Sequence, residues 1–388
     1  TCVEFCWTTR TKPPNVQRNT YSIMKVSFYN GALLNRWSED DGLLLASRLV
    51  KCHSPVDRTG HSNNFNIKYD SIPTDMSKVL SWKECCIKSA EELWKLGKPI
   101  TLFWSGGIDS TTAFLALRET KTNDNDLVVR YTHDSVTEYP NFLKDIIPFG
   151  SQLEPENLLI NWDKNVNYVN GECGDQCFGS DILEKYMDHI NEPWQNILEW
   201  DNIFVIPRNL TQETTPKMLI NLANFLEQHI SYCPIQVKTI FDLYWWINFS
   251  IKWNFVDQRM IHNLAMEPYR ENVHSFFNTQ DFQKWSLANH NNKHDNTWRT
   301  YKQPSKDLIF EYTGDEEYRK NKVKEVSLQR VFNYYLTDVV GETSSDMLLV
   351  RSSYKNKNTL KLILDDGQFW RRDDKIPKYI IDKVLKNK

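Results

Sequence analysis

The stretch Ile100-Thr101-Leu102-Phe103-Trp104-Ser105-Gly106-Gly107-Ile108-Asp109-Ser110-Thr111 decides how this chain is read. The mostly apolar run after Pro99 predicts a strand, and Thr111 to Leu117 predicts a helix. A loop of small residues joins them. Strand, loop and helix in that order aim backbone N–H groups and the positive end of a helix at one point, which suits a phosphate. Gly106 and Gly107 permit a tight turn and close backbone approach. Ser105, Ser110 and Thr111 add hydroxyl donors. Asp109 is the odd member, because a carboxylate beside a phosphate is repulsive unless a divalent cation lies between them. The stretch therefore predicts the phosphate chain of a nucleotide with Mg2+. It lacks the Gly-Lys-Ser/Thr end of a Walker loop and the spacing of a dinucleotide fingerprint. The plainer alternative is a glycine turn with a capping Ser and Asp; the agreement of strand, loop and helix favours the nucleotide.

A second loop repeats the pattern. Tyr168 and Val169 predict a strand end, followed by Asn170-Gly171-Glu172-Cys173-Gly174-Asp175-Gln176-Cys177-Phe178-Gly179-Ser180 and a helix from Asp181 onward. Leu158 to Ile160 predict a short strand before it. Glu172 and Asp175 lie on a turn that would face the first loop, and Asp109 and Asp175 together would hold magnesium on the phosphates.

The first loop resembles the pyrophosphate-binding loop (PP-loop) of the ATP pyrophosphatases, which cleave ATP between its α and β phosphates and place AMP on a substrate oxygen. The second resembles a signature of the synthetase domain of asparagine synthetases, Gly-Glu-Gly-(small)-Asp-Glu-(apolar)-Phe-Gly-Gly. β-Lactam synthetases and lasso-peptide cyclases share that domain. The resemblance spans roughly residues 82 to 310. It implies an α/β fold: a parallel sheet with flanking helices, of the adenine nucleotide alpha hydrolase-like type, with a largely helical C-terminal part. It implies that Ser105, Gly106, Gly107, Asp109, Ser110 and Thr111, with Gly171 and Gly174, bind ATP and its pyrophosphate. Asp109 and Asp175 would bind the metal, Glu172 would lie near the reacting acyl group, and Val129 would meet the adenine. Gln176 stands where the family has Glu, and Cys173 where it has Gly. The family also has a late lysine that stabilises charge on the reacting phosphorus. In Tyr301-Lys302-Gln303-Pro304-Ser305-Lys306-Asp307-Leu308-Ile309 the best match is Lys306, ahead of Leu308, with Lys302 in reserve.

Composition frames the function. The chain has 388 residues, 40% hydrophobic and 25% charged, enough for a full core in more than one domain. A net charge of −3 gives no general reason to bind nucleic acid or an anionic membrane. No run reaches the ~18 apolar residues of a membrane span. The 8 cysteines form no repeated CxxC pairs, which argues against a zinc ribbon and fits a reduced, cytoplasmic setting. Cys173 and Cys177 read as packing residues beside a turn, the alternative being a sulfur-carrying thiol.

Four segments are expected: an N-terminal arm and small α/β extension (1–80), a PP-loop core (81–200), a helical substrate region (201–325) and a C-terminal extension (326–388). Helices are expected over 42–50, 81–96 and much of 216–262, and strands at 25–29, 100–104 and 127–131. His133, Asp134 and Glu138 follow the last of these, as ligand contacts or turn residues. The glutamine-using asparagine synthetases start with a catalytic Cys on a glutaminase domain. Here Thr1 precedes Cys2, and the stretch before the first loop is too short for that domain. Ammonia would come free or from a partner, or the nucleophile would be an amine on another molecule. The expected function is an ATP-dependent, amide-forming ligase that adenylates a carboxylate. The alternatives are a PP-loop enzyme modifying a nucleobase or tRNA, and a non-catalytic nucleotide-binding protein.

Overall fold

The computed structural model describes residues 5–7, 24–29, 32–35, 41–52, 55–63, 69–121, 126–131, 133–152, 162–181, 203–207, 216–263, 267–293, 298–324 and 347–351. Its strands in chain order are β1 (Phe5–Trp7), β2 (Met24–Tyr29), β3 (Ala32–Asn35), β4 (Ile100–Phe103), β5 (Leu127–Tyr131), β6 (Gly150–Gln152), β7 (Asn167–Asn170), β8 (Ile203–Pro207), β9 (Val273–Ser275) and β10 (Met347–Arg351). The chain divides into two discontinuous units. One comprises 1–72, 179–255 and 343–388; the other comprises 73–178 and 256–342. The four expected segments are thus distributed over two units, each assembled from separated stretches. The strand expected at 158–160 and the helix expected after Asp181 lie outside the described residues.

The second unit is an α/β layer structure. Its sheet runs β6-β5-β4-β7-β9, and every neighbouring pair is parallel. The inner strands read as near-continuous apolar runs because helices cover them, with Ile100, Leu102, Val129 and Val169 buried. The helix Trp82–Trp94 begins at a capping box, in which Ser81 accepts from the Glu84 N–H and Glu84 accepts from the Ser81 N–H. Trp82, Cys85, Cys86, Ala90 and Leu93 recur at helical spacing and form its buried face. That helix packs against the helix Ile108–Thr120, as does the helix Gln303–Thr313. Enclosed in this way, Ile108–Thr120 is buried from Ser110 through Leu117.

The strand order fixes where a ligand goes. From β4 the chain moves to β5 on one side, and later returns to β7 on the other. In open parallel sheets such a reversal leaves a crevice at the carboxyl ends of the two strands concerned. The loops after β4 and β7 are the two glycine stretches singled out by sequence.

The first unit holds β1-β2-β3 as an antiparallel sheet and β8 paired antiparallel with β10. β1 lies within the stretch expected to be an arm. The unit also holds the helices Gly42–Leu49 and Pro216–Ile230, and Ile240–Ile247 running into a π-helical turn at Asn248–Lys252. A π turn loosens the regular carbonyl ladder. Its carbonyls find donors in residues 56–58: Val56 N–H to Ile251 (3.3 Å), Arg58 N–H to Ser250 (3.0 Å) and the Arg58 guanidinium to Phe249 (2.9 Å). Arg58 is buried with its charge over the rings of Phe249 and Trp253.

His229 sits in the same core, stacked on Phe225, with Nε2 at 2.7 Å from Ser250 Oγ. Burial lowers it to about 4; the nearby Asp57 carboxylate opposes that shift and His61 adds to it. A histidine lowered in the folded state leaves the unfolded chain binding more protons, so its contribution is complete above pH 6.5 and lost as pH falls towards 4. We expect wild type to lose about 2 kcal/mol more than His229→Gln between pH 7 and pH 5, read as the difference in urea midpoints.

Candidate functional site

The first loop is knitted by its own hydroxyls. Ser110 Oγ receives the Ser105 N–H at 3.1 Å and lies 2.9 Å from Ser105 Oγ, and Ser105 Oγ receives the Gly107 N–H at 3.3 Å. Thr111 Oγ1 accepts from the Trp104 indole N–H at 2.9 Å. Gly107 is the cap residue of the helix Ile108–Thr120 and supplies no side-chain bond, so the first-turn N–H groups face the loop without a capping side chain. That is the anion-binding end of a helix.

Gly106 is a glycine for two reasons. Its φ is +78°, and a Cβ there would lie 2.1 Å from the Ser135 carbonyl oxygen. Gly106→Ala is expected to destabilise the protein by about 2–4 kcal/mol, because neither backbone can move without breaking the loop. Urea unfolding checks this, and nucleotide affinity is expected to fall with it.

The second loop presses against the first. A Cβ on Gly171 would lie 2.9 Å from the Ser110 nitrogen, and one on Gly174 would lie 2.6 Å from Asp109 Oδ1. Gly171 is a glycine because the Ser110 backbone lies against it, and Gly174 because the Asp109 carboxylate does. Between them Cys173 takes a left-handed φ of +68° without being glycine, a strained choice of the kind concentrated at functional sites. The short helix Gly174–Phe178 then carries Asp175 towards Asp109.

Lys302 joins the two acids. Its ammonium is fully buried, contacts the Asp109 carboxylate, and lies 2.6 Å from Asp175 Oδ1. Lys324 approaches Asp175 Oδ2 at 3.5 Å, and the Tyr301 hydroxyl lies 3.3 Å from Asp175 Oδ1. Burial raises the Asp109 carboxyl above its ordinary value; Lys302 opposes this, Asp175 adds to it, and Lys324 opposes it. Asp109 Oδ1 is buried and has no hydrogen-bond partner among the described residues. Lys302 also has a left-handed φ of +61° at the start of the helix Gln303–Thr313.

The structure distinguishes the two lysines that the sequence offered. Lys306 is fully buried one turn beyond Lys302, and its ammonium donates to the backbone carbonyls of Arg299 and Lys322. It does not contact either acid; Lys302 does. The two lysines share a helix start, and the left-handed backbone at 302 turns only the first towards the loops.

Glu172 is nearly buried and paired with the Arg259 guanidinium, and its N–H is held by Asn170 Oδ1 at 2.9 Å. Sequence reading missed Arg259, because nothing local marks an arginine 87 positions away as the partner. Val129 is buried inside the sheet, paired with Leu102 on one side and Gly150 on the other. Thr132 lies outside the described residues, as do the side chains of His133 and Asp134. These two begin a short helix, His133–Glu138, where turn residues were one of the readings. Glu138 pairs with Lys322 at 3.3 Å, close beside Gly106. Cys173 and Cys177 are both buried, and burial pushes the Cys177 thiol far up.

The donor set fits magnesium with phosphate better than a closed metal site. Among the described residues no group of three or more His, Cys, Asp or Glu could hold a metal alone. Magnesium commonly takes one or two carboxylates and completes its shell with water and phosphate oxygens. Asp109 and Asp175 supply two hard oxygens on facing loops, with Oδ1 of Asp109 unpartnered in the protein. Among the described residues no helix is long and apolar enough to cross a membrane. No protein-family model matches the chain, and no curated protein matches it either.

Proposed function

We propose that this chain is an ATP-dependent, amide-forming ligase on a PP-loop fold, which adenylates a substrate carboxylate and passes the acyl group to a nitrogen nucleophile. The observation that carries the reading is Lys302 held between Asp109 and Asp175, one acid from each glycine loop at the switch point of a parallel sheet. Two acids and two lysines, Lys302 and Lys324, form a set that a metal and a polyphosphate would exchange: the acids take the cation, the ammoniums take phosphate oxygens.

In this reading the loop Ser105–Ser110 and the start of its helix bind the phosphates through backbone N–H groups. Asp109 and Asp175 would hold magnesium, which when bound supplies charge neutralisation on the pyrophosphate. Lys302 follows the phosphate charge as the α–β bond breaks, stabilising the transition state. The substrate carboxylate oxygen attacks the α phosphorus, pyrophosphate leaves, and the acyl adenylate is opened by the amine with loss of AMP. Glu172 lies three residues before Asp175, near where the acyl group would react. Its pairing with Arg259 makes it an orienting group first; as a proton acceptor it must leave that guanidinium. The sulfur-carrying alternative is weakened by the burial of both loop cysteines, since a thiolate is the reactive form.

The test is the fate of ATP. With magnesium, pooled amino acids and ammonia, and then cell extract, the protein is expected to yield AMP and pyrophosphate. ADP and phosphate instead would overturn the reading, and tight ATP binding with no cleavage in any pool would favour a non-catalytic protein.

A further inference from the structure

Two fully buried lysines stand four residues apart, and their ammoniums face different things. Lys302 faces carboxylates. Lys306 faces backbone, donating to the carbonyls of Arg299 and of Lys322, the latter at 3.2 Å. Burying an ammonium is costly unless it is well bonded, and an apolar side chain of similar length would fill the space without that cost. A lysine adds charge-assisted bonds to two carbonyls from separate turns.

Those two turns carry the ammoniums of the site. Arg299 lies in the short helix Trp298–Thr300, three residues before Lys302, whose left-handed backbone needs its surroundings to hold it. Lys322 ends the helix Glu316–Asn321, two residues before Lys324. Its own side chain is anchored on Glu138 beside the first loop. A single nitrogen therefore ties the turn that delivers Lys302 to the segment that delivers Lys324.

We infer that Lys306 is a positioning residue: it sets the separation of Lys302 and Lys324 so that both reach one pyrophosphate. The inference rests on the reading of the loops as a pyrophosphate cradle. It assigns Lys306 no contact with substrate, and it accounts for an ammonium bonded to the backbone of both turns.

The experiment measures binding of magnesium pyrophosphate by calorimetry in the full chain, with thermal unfolding recorded for each variant. Lys306→Met is expected to bind about tenfold more weakly than wild type, and this loss is expected to shrink to about threefold or less in a Lys324→Met background, because misplacing an absent ammonium has no further effect. A purely structural role would give the same loss in both backgrounds and would overturn the inference, as would unchanged affinity in Lys306→Met. If the Met variant does not fold, Lys306→Gln, which keeps two N–H donors on a shorter stem, enters the same cycle under the same criterion. Absence of binding by wild type would overturn the cradle itself and the inference with it; binding by wild type with equal losses overturns the inference alone.

Discussion

Lys302→Met is expected to abolish AMP formation and to make the stability of the protein depend on magnesium. The ammonium is the buried countercharge of two facing carboxylates. Removing one partner of a buried ion pair leaves the other uncompensated, at about 3–5 kcal/mol. Lys324, 3.5 Å from Asp175, offsets part of this, so the lower end is expected, about 3 kcal/mol. The loss of turnover is expected to be about a thousandfold, the scale of removing a preorganised charge from a transition state. Magnesium then has two bare acids to bind. Thermal melts of the variant with and without millimolar magnesium are expected to differ by several degrees more than those of wild type. Equal magnesium responses would remove the metal role from Asp109 and Asp175.

The second large effect comes from the other side of the same contact and has the opposite sign for stability. Asp109→Asn is expected to lower AMP formation by about a thousandfold while leaving the unfolding midpoint equal to or above that of wild type. The carboxylate is largely enclosed and one of its oxygens is buried and unpartnered among the described residues, so its charge is a cost to the fold. Lys302 keeps Asp175 at 2.6 Å after the change. Asp175 is more exposed than Asp109 and has more partners, so Asp175→Ala is expected to match the loss of turnover without the gain in stability. Parallel denaturation and product assays check both variants. A marked destabilisation of Asp109→Asn would show that the acid serves the fold instead of the site.

What could be read from sequence was what is local. The loop between Ile100 and Leu117 was legible because its strand, its two glycines and its helix are adjacent in the chain. The helix from Trp82 was legible from the spacing of its buried face and from Ser81 and Glu84 at its start. Gly171 and Gly174 were legible as a turn, although the reason they must be glycine is the Ser110 backbone and the Asp109 carboxylate, more than 60 positions away. The choice between Lys302 and Lys306 was not legible. Both lie in one turn, and a single left-handed residue decides which ammonium meets the acids. Arg259 opposite Glu172 was out of reach for a similar reason, since a pair formed through the return of a distant helix leaves no periodicity to find. β9 is only Val273–Ser275, too short to stand out, yet it forms an edge of the sheet. The finer identity of the fold as a PP-loop domain remains part of the proposal; the parallel sheet with its helices is the observed architecture.

The pairing of β8 with β10 has a consequence during synthesis. Residues 203–207 leave the ribosome long before residues 347–351, and the antiparallel register joins Ile203 to Arg351 and Pro207 to Met347. At about 5–20 residues per second the partner follows on the order of ten seconds later. For that interval Ile-Phe-Val-Ile is an apolar strand whose β10-facing edge awaits its partner, a template for pairing with neighbouring chains. Meanwhile every segment of the unit that carries the loops has been made by residue 342. The unit that carries the two glycine loops is complete in the nascent chain before the other unit. Slower translation lengthens the wait of the open strand, and crowded polysomes put it at risk.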